Sequence, residues 1–485
     1  MRQAHSVAAV RAAEHALAAG LPEGTLMQRA ATGLANACAG LLGRVYASRV
    51  VLLVGSGDNG GDALFAGARL AARGAVVHAL LLDPERAHRA GLAEFRRLGG
   101  RVSTDAKLVA RADLVLDGIL GIGAAGGLRP AAAELAAAAA DSRGLIVAVD
   151  LPSGVEADTG RVPGAAVRAD ATVTFGTWKP ALLVDPAAGL AGATTLIDIG
   201  LAPYLPQPVL RCPQDVDLAR LLPHPRRTDD KYRRGVLGVV AGSTRYPGAA
   251  VLTVLAAVRA GAGMVRFVGP GPLAAEVRAR CPEVVASDGR PSAAGQVQAW
   301  VIGPGLGIDA VAAALLADVL ATDVPVLVDA DGLTLLAGTE PVRRAAPTLL
   351  TPHAGELARM LGVDRAEVEG ARLDHAVLAA RRYGAEVLLK GYTTVVAGPG
   401  DDPGWVNGAG CAALATAGSG DVLSGLTGAL LAAGLPAAAA GALGAHLHGA
   451  AAREAADGAG PVSAASVAEH VPAAWRRIAA TFQDQ

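Results

Sequence analysis

The chain has 485 residues, of which 52% are hydrophobic and 18% charged, with a formal net charge of -1. That length exceeds one typical core and points to two or three domains, while the near-neutral balance carries no electrostatic footprint for nucleic acid. The four cysteines, Cys38, Cys212, Cys281 and Cys411, are scattered without a CxxC pair, which argues against a disulfide framework or a zinc site.

From the N-terminus, Met1 to His5 lead into an amphipathic segment over Val7 to Leu42 that carries Arg11 and Glu14 and has no sustained apolar core, so no secretory signal is expected. Val50–Val54 then reads as a buried strand, and Val76–Leu82, Leu114–Leu116, Ile146–Val149, Ala171–Phe175 and Thr194–Ile197 repeat the theme. Strands spaced by Ala-rich helical stretches imply βαβ units and a parallel sheet covered on both faces. Pro203 to Arg234 changes character, with six prolines and then a charged run, and reads as a linker or seam. The alternation restarts with Val236–Val240, Met264–Val268, Trp300–Ile302, Val326–Val328 and Val387–Leu389, giving two α/β domains, 1–208 and 209–485. The uncharged run from Val422 to Leu447 is mostly Ala and Gly, with Pro436 inside it. It reads as two buried helices broken at 434–436, not as a membrane span. A cytoplasmic protein with no membrane partner is expected.

After the first strand, Gly55-Ser56-Gly57-Asp58-Asn59-Gly60-Gly61-Asp62 satisfies GxGxxG, and Asp83 ends the next strand near the spacing of a ribose-binding acid. A dinucleotide dehydrogenase would follow from that pattern, except that Asp58 and Asp62 put two like charges where a pyrophosphate should sit. Oxygen donors in a glycine loop suit a hard cation as well as a hydroxyl. Asp117, before Gly118 to Gly123, and Asp150, before Leu151-Pro152-Ser153-Gly154, also end strands. In an open parallel sheet ligands bind outside the carboxyl ends of the strands, so Asn59, Asp117, Asp150 and Ser153 are expected to converge.

These three motifs together resemble the NAD(P)H-hydrate epimerases over most of residues 1–205. The resemblance implies a Rossmann-like doubly wound domain that interconverts the two configurations of hydrated NAD(P)H (NADHX and NADPHX) at the hydroxyl-bearing ring carbon. It implies K+ held by Asn59, Asp117 and Ser153. Substrate contacts would come from Asp58, Asn59, Gly60, Gly61 and Asp62, from Gly121, Ile122, Gly123, Ala124, Ala125, Gly126 and Gly127, and from Asp150, the expected acid/base. Two positions depart from the family: Asp58 stands where it usually has Asn, and Ile122 where it has Thr.

In the second half, Tyr246-Pro247-Gly248-Ala249-Ala250 starts a helix with small residues, and Gly303-Pro304-Gly305-Leu306-Gly307 is a glycine loop after a strand. Asp329 and Asp331 stand at a strand end, His353 and Glu356 at a helix start, and Lys390-Gly391-Tyr392-Thr393-Thr394 offers a point charge to a phosphate. Ala417-Gly418-Ser419-Gly420-Asp421-Val422-Leu423 carries the only charged residue between Asp402 and Arg453, just ahead of a long apolar helical pattern. Asp421 either caps that helix or works beside an anion hole of open backbone N–H groups. No GxxxxGK[ST] occurs, so the chain is not a P-loop enzyme. Phosphoryl transfer needs a proton acceptor and charge neutralisation, which Asp421 and the glycine amides can supply.

Those motifs resemble the ribokinase-like superfamily, and more closely the ADP/ATP-dependent NAD(P)H-hydrate dehydratases, over roughly 215–480. By that resemblance Ala249, Gly307, His353 and Asp421 contact the hydrate, with Asp421 catalytic, while Lys390, Gly391, Tyr392, Thr393, Thr394 and Gly420 hold ADP or ATP with Mg2+. Gly410-Cys411-Ala412-Ala413 replaces the family's Gly-Asn-Pro-Gly. The expected assembly is a homo-oligomer. The competing expectation is a ribokinase-like small-alcohol kinase fused to a non-catalytic nucleotide-binding or interaction domain.

Overall fold

The computed structural model describes residues 1–124, 126–337, 344–458 and 460–483; Ala125 lies outside them. The chain folds into two compact units, Gln3–Leu210 and Arg211–Gln485, the second taking in Met1–Arg2 as well. In the first unit the apolar runs become β1 (Arg49–Val54), β2 (Val76–Leu81), β4 (Leu114–Gly118), β5 (Leu145–Val149), β6 (Ala171–Phe175) and β7 (Ala193–Ile197). The hydrophobic pattern did not reveal β3 (Arg101–Ser103), a three-residue edge strand with too little apolar content to signal itself. All pair in parallel in the order β3-β2-β1-β4-β5-β6-β7. Two apolar layers cover the sheet. One includes Leu34, Leu52, Leu64, Leu116 and Val149, and the other Val51, Leu53, Val115, Ala136 and Ile146. Alternate strand residues therefore face opposite helices. The amphipathic N-terminal segment forms two helices, Val7–Ala18 and Thr25–Leu42.

Pro203 to Arg234 is less bare than its prolines suggest, since it contains the short strand Leu210–Cys212 and the helix Asp215–Ala219. The second unit's main strands are β8 (Val236–Val240), β9 (Met264–Val268), β10 (Val285–Ser287), β11 (Ala299–Ile302), β12 (Val326–Val328), β13 (Thr348–Leu350), β14 (Glu386–Leu389), β15 (Thr394–Ala397) and β16 (Gly404–Asn407). They pair in the order β16-β15-β14-β13-β12-β11-β8-β9-β10. The joins β14–β15 and β15–β16 are antiparallel, an edge meander on an otherwise parallel run of strands that the strand–helix alternation did not announce.

The helices Ser419–Ala432 and Ala437–Ala456 break at 433–436 as the glycine and proline there dictate. Among the described residues no helix is long and apolar enough to cross a membrane. Ser419–Ala432 packs tightly on Pro247–Arg259, because Gly425 lets the Thr253 carbonyl approach to where a Cβ would stand 1.9 Å away. That contact sets two helix N-termini, at Gly248 and at Gly420, side by side at the carboxyl end of the sheet.

Candidate active sites

In the first unit the strand order reverses between β1 and β4, which opens a crevice at their carboxyl ends. Register places Asp117 beside Leu53 on one neighbour and Ala148 on the other. Its carboxylate is fully buried and accepts from Ser153 Oγ at 2.6 Å, Ser153 N at 2.8 Å and Ile119 N at 3.3 Å. The Ser153 hydroxyl in turn accepts from Leu120 N at 2.9 Å, and Asn59 donates to the carbonyls of Leu120 at 2.9 Å and Val149 at 2.8 Å. The structure thus gathers Asn59, Asp117 and Ser153 around one turn. Burial pushes the Asp117 carboxyl up to about 6, against the pull of those hydrogen bonds. Among the described residues no basic side chain pairs with it. A buried carboxylate ringed by hydroxyl, amide and carbonyl oxygens is a donor set that fits a hard monovalent cation.

Asp150 sits at φ 65°, a left-handed conformation held by the end of β5. Its Oδ1 accepts from the ammonium of Lys179, from Thr174 Oγ1 at 2.9 Å and from Phe175 N at 3.2 Å. Lys179 is 1% exposed and also donates to Thr174 Oγ1 and the Phe175 carbonyl, both at 3.0 Å. Close by lies a cavity of about 640 Å³ lined by Arg11, Glu14, Asp58, Asp62, Met27 and Phe175 among others. Burial pushes the Asp62 carboxyl well up, and the negative charges of Asp150, Asp58 and Glu14 add to it. Asp62 Oδ1 has no hydrogen-bond partner among the described residues. Burial raises Glu14 as well.

The glycine loop serves packing. A Cβ at Gly60 would lie 2.2 Å from the Gly55 carbonyl, and one at Gly61 would lie 3.0 Å from the His88 ring. Asp83 caps its own turn, its Oδ1 accepting from the amides of Glu85 at 3.2 Å and Arg86 at 3.3 Å. In the loop after β4, Gly121 abuts Asn59 and Gly123 lies under the Arg11 guanidinium. Ala124 and Gly126 are half-buried, and Gly127 crosses Gly164 closely. Ile122, where the family has Thr, packs against the apolar layer.

In the second unit Gly303, Gly305 and Gly307 all take positive φ, at 117°, 57° and 88°. Only glycine fits at Gly303, where a Cβ would stand 2.0 Å from the Asp329 carbonyl. The Gly307 amide donates to Asp331 Oδ2 at 2.8 Å, and Ala249 packs against Gly305. Asp329 is the anchor. Its Oδ1 accepts from Lys390 Nζ at 2.7 Å and its Oδ2 from Ser424 Oγ at 2.7 Å. Burial lowers the Lys390 pKa, but Asp329, Glu356 and Asp421 more than offset that, and the net shift is upward, so the ammonium stays charged.

Asp421 lies in the first turn of its helix. The N-cap is Gly418, at φ 83° and without a side-chain capping bond, so Asp421 is not the cap. Burial first, and then the charges of Asp329, Asp331 and Glu356, push Asp421 up to about 6 against the opposing pull of Lys390. His353 caps the helix Ala354–Leu361, its Nδ1 accepting from the amides of Gly355 and Glu356, while Glu356 accepts from His353 N. It also lines a cavity of about 600 Å³ with Lys390, Gly391, Tyr392, Thr394 and Gly420. Thr393 is buried beside that wall. Cys411 and Ala412 line the same cavity, Ala412–Leu414 forming a short 3-10 turn where the family has its Pro-Gly. Among the described residues no three His, Cys, Asp or Glu side chains gather as a metal cluster.

Sequence reasoning missed Lys179, Thr174, Arg11 and Ser424. The first had a usable signal, a lone lysine after an apolar strand, the same sign that marked Lys390.

A family profile described as NAD(P)H-hydrate dehydratase matches residues 237–473, and one described as YjeF-related protein N-terminus matches residues 23–181. The chain is 51% identical over 482 residues to a bifunctional NAD(P)H-hydrate repair enzyme of Mycobacterium leprae, covering 97% of this chain and 98% of that one. To the enzyme so named in Corynebacterium glutamicum it is 40% identical, covering 79% of this chain and 78% of that one. The solved ADP/ATP-dependent NAD(P)H-hydrate dehydratase from Bacillus subtilis, co-crystallized with ATP/Mg2+, superposes with a TM-score of 0.51 at 30% identity, over 55% of this chain and 97% of that one. The chain belongs to the family of bifunctional NAD(P)H-hydrate repair enzymes.

Proposed function

We propose that the second unit dehydrates the S form of hydrated NADH or NADPH at the expense of ADP or ATP, and that the first unit epimerises the R form into the S form, both in the cytoplasm. The observation that carries the first half is the grouping of Asp421, Lys390, Asp329 and the amides at Gly418 to Gly420 beside the cavity of about 600 Å³. Asp421 takes the proton of the ring hydroxyl as that oxygen attacks the terminal phosphoryl group. Lys390, steadied by Asp329, neutralises charge developing on the phosphate, and the helix N-terminus receives the anion. Mg2+ accompanying the nucleotide would add Lewis-acid charge neutralisation. Phosphate then leaves with push from the ring nitrogen, and loss of a proton from the neighbouring carbon restores the dihydropyridine. Recovery of the nicotinamide absorbance band on mixing protein, S-hydrate and ADP tests the reading; no nucleotide-dependent recovery would sink it.

A base raised to about 6 must be ionised to act. The rate is therefore expected to be flat above that value and to fall by about tenfold per pH unit below it. Lys390→Met removes the cation that holds Asp421 down, so the acid limb of kcat/KM should move to higher pH as well as lose amplitude. A limb that stays in place in this variant would separate Asp421 from the titration.

In the first unit Asp150, braced by Lys179 and Thr174, takes the hydroxyl proton as the ring C–N bond opens to an aldehyde and passes it to the freed nitrogen; the reverse steps close the ring on the aldehyde's other face, which inverts the carbon. Asn59, Asp117 and Ser153 would hold K+, which supplies positive charge at the floor of the site. Exchanging K+ for a bulky organic cation at constant ionic strength is expected to lower the melting temperature of the wild type and to leave Asp117→Asn insensitive, because only the ionised carboxylate gains from the cation. Equal sensitivity of both proteins in thermal melts would remove K+ from this turn.

A further inference from the structure

A large concavity of the second unit lies away from that unit's own reaction site. It encloses about 800 Å³, and its wall carries Arg226, Arg233, Arg234, Arg259 and Arg476 against the single carboxylate of Asp229. That carboxylate is already engaged by the backbone N–H of Arg226 at 2.7 Å. Among the described residues none of the five guanidinium groups makes an ion pair with a carboxylate. The contrast with the next residue is informative, since Arg477 reaches both Asp215 at 2.9 Å and Glu454 at 3.1 Å.

Two of the five have a structural task. Arg234 donates to the Gly261 carbonyl at 3.0 Å, and Arg259 ends the helix Pro247–Arg259, where a cation suits the helix dipole. Arg226 and Arg476 have no such task, and Arg233 has only a 3.3 Å bond to the Thr228 carbonyl. Five cations gathered around the carboxylate of Asp229, with Asp230 facing Arg233, leave the wall net positive, and their mutual repulsion is relieved when an anion joins them. Planar guanidinium forks match phosphoryl oxygens in pairs. The floor is different in kind, made by Ala429, Leu430, Pro472 and the half-buried Trp475, an apolar and aromatic surface on which a planar ring can lie.

The position separates this site from the reaction. Ala433 and Gly261 follow the carboxyl ends of the helices Ser419–Ala432 and Pro247–Arg259, whose amino ends carry Asp421 and Ala249. The 14-residue helix Ser419–Ala432 puts roughly 20 Å between the two.

We infer that this arginine-lined cavity is a second binding site, for a nucleotide-class metabolite that carries at least two phosphoryl groups and a planar base. The test uses the full chain and the double variant Arg226→Glu, Arg476→Glu, both positions exposed and outside the reaction sites. Labelled ADP is measured by equilibrium dialysis at low ionic strength. The wild type is expected to bind one more ADP per chain than the variant, and the extra ADP should be displaced by raising KCl. Without ligand the variant should melt no lower than the wild type, because neither side chain holds the fold and the exchange relieves repulsion among the arginines. Equal ADP stoichiometry in the two proteins overturns the inference. So does a variant that keeps its full ADP stoichiometry but loses an oligomer seen for the wild type, or loses binding only to an oligonucleotide. The count of bound ADP does not depend on turnover, so its outcome stands whether or not the hydrate reactions proceed.

Discussion

Asp421→Asn is expected to lower ADP-dependent recovery of NAD(P)H from the S-hydrate by about 10²- to 10⁴-fold, with little change in ADP affinity. The amide is nearly isosteric, so the helix N-terminus, the Gly418 cap and the Lys390–Asp329 pair remain in place. What disappears is the group proposed to accept the hydroxyl proton as the phosphoryl group arrives. The variant also removes one of the negative charges that crowd Asp329, Asp331 and Glu356, so the folded protein should be no less stable than the wild type. This combination, lost turnover with retained nucleotide binding and stability, distinguishes a base from a helix cap. A cap lost from the first turn would cost about 1 kcal/mol of stability and leave turnover largely intact. Epimerisation, followed by exchange between the two isomers without nucleotide, is expected to be unchanged in Asp421→Asn. If turnover of the S-hydrate survives within a few fold, proton transfer in this site belongs elsewhere.

The second large effect lies in the other unit. Asp150→Ala should abolish the repair of R-hydrate beyond its spontaneous conversion and leave S-hydrate repair intact, because the two chemistries use different residues. Lys179→Met is the more demanding test. Removing one partner of a buried ion pair leaves the other charge uncompensated, which commonly costs about 3–5 kcal/mol. Asp150 would keep its bonds from Thr174 and the Phe175 amide but lose the ammonium that braces it. The double variant Lys179→Met, Asp150→Asn is expected to regain most of the lost stability while remaining inactive as an epimerase. Urea unfolding of the two proteins, read beside the isomer assay, separates the role of Lys179 in the fold from its role in positioning Asp150. Full epimerase activity in Lys179→Met would show that the pair is structural alone.

The α/β character of both halves was legible because each parallel strand, buried on two faces, writes itself as a short apolar run, and because the Asp and Gly that follow sit at fixed offsets. Asn59, Asp117, Asp150, Ser153 and Asp421 were therefore visible as candidates from local pattern alone. The short strands at Arg101–Ser103 and Val285–Ser287 and the antiparallel edge were not, since three or four residues at a sheet margin carry little hydrophobic signal. His353 shows the limit of local reading: a capping histidine and a cavity-lining one have the same sequence context, and here one side chain does both.

The motif Ala417 to Leu423 announced an anion hole and a lone carboxylate before a helix. Its partners came from far along the chain: Lys390 meets Asp329 across 61 residues, and Ser424 meets the same carboxylate across 95. Lys179 and Asp150 come together because β5 and β6 are neighbours, and Arg11 and Glu14 reach the first cavity from a helix at the start of the chain. Local residue order fixes where a strand ends and which side chain stands there. Which charges then face one another depends on strand order and helix packing, and it is this, through burial and Coulomb interaction, that pushes the carboxyl of Asp421 up to about 6.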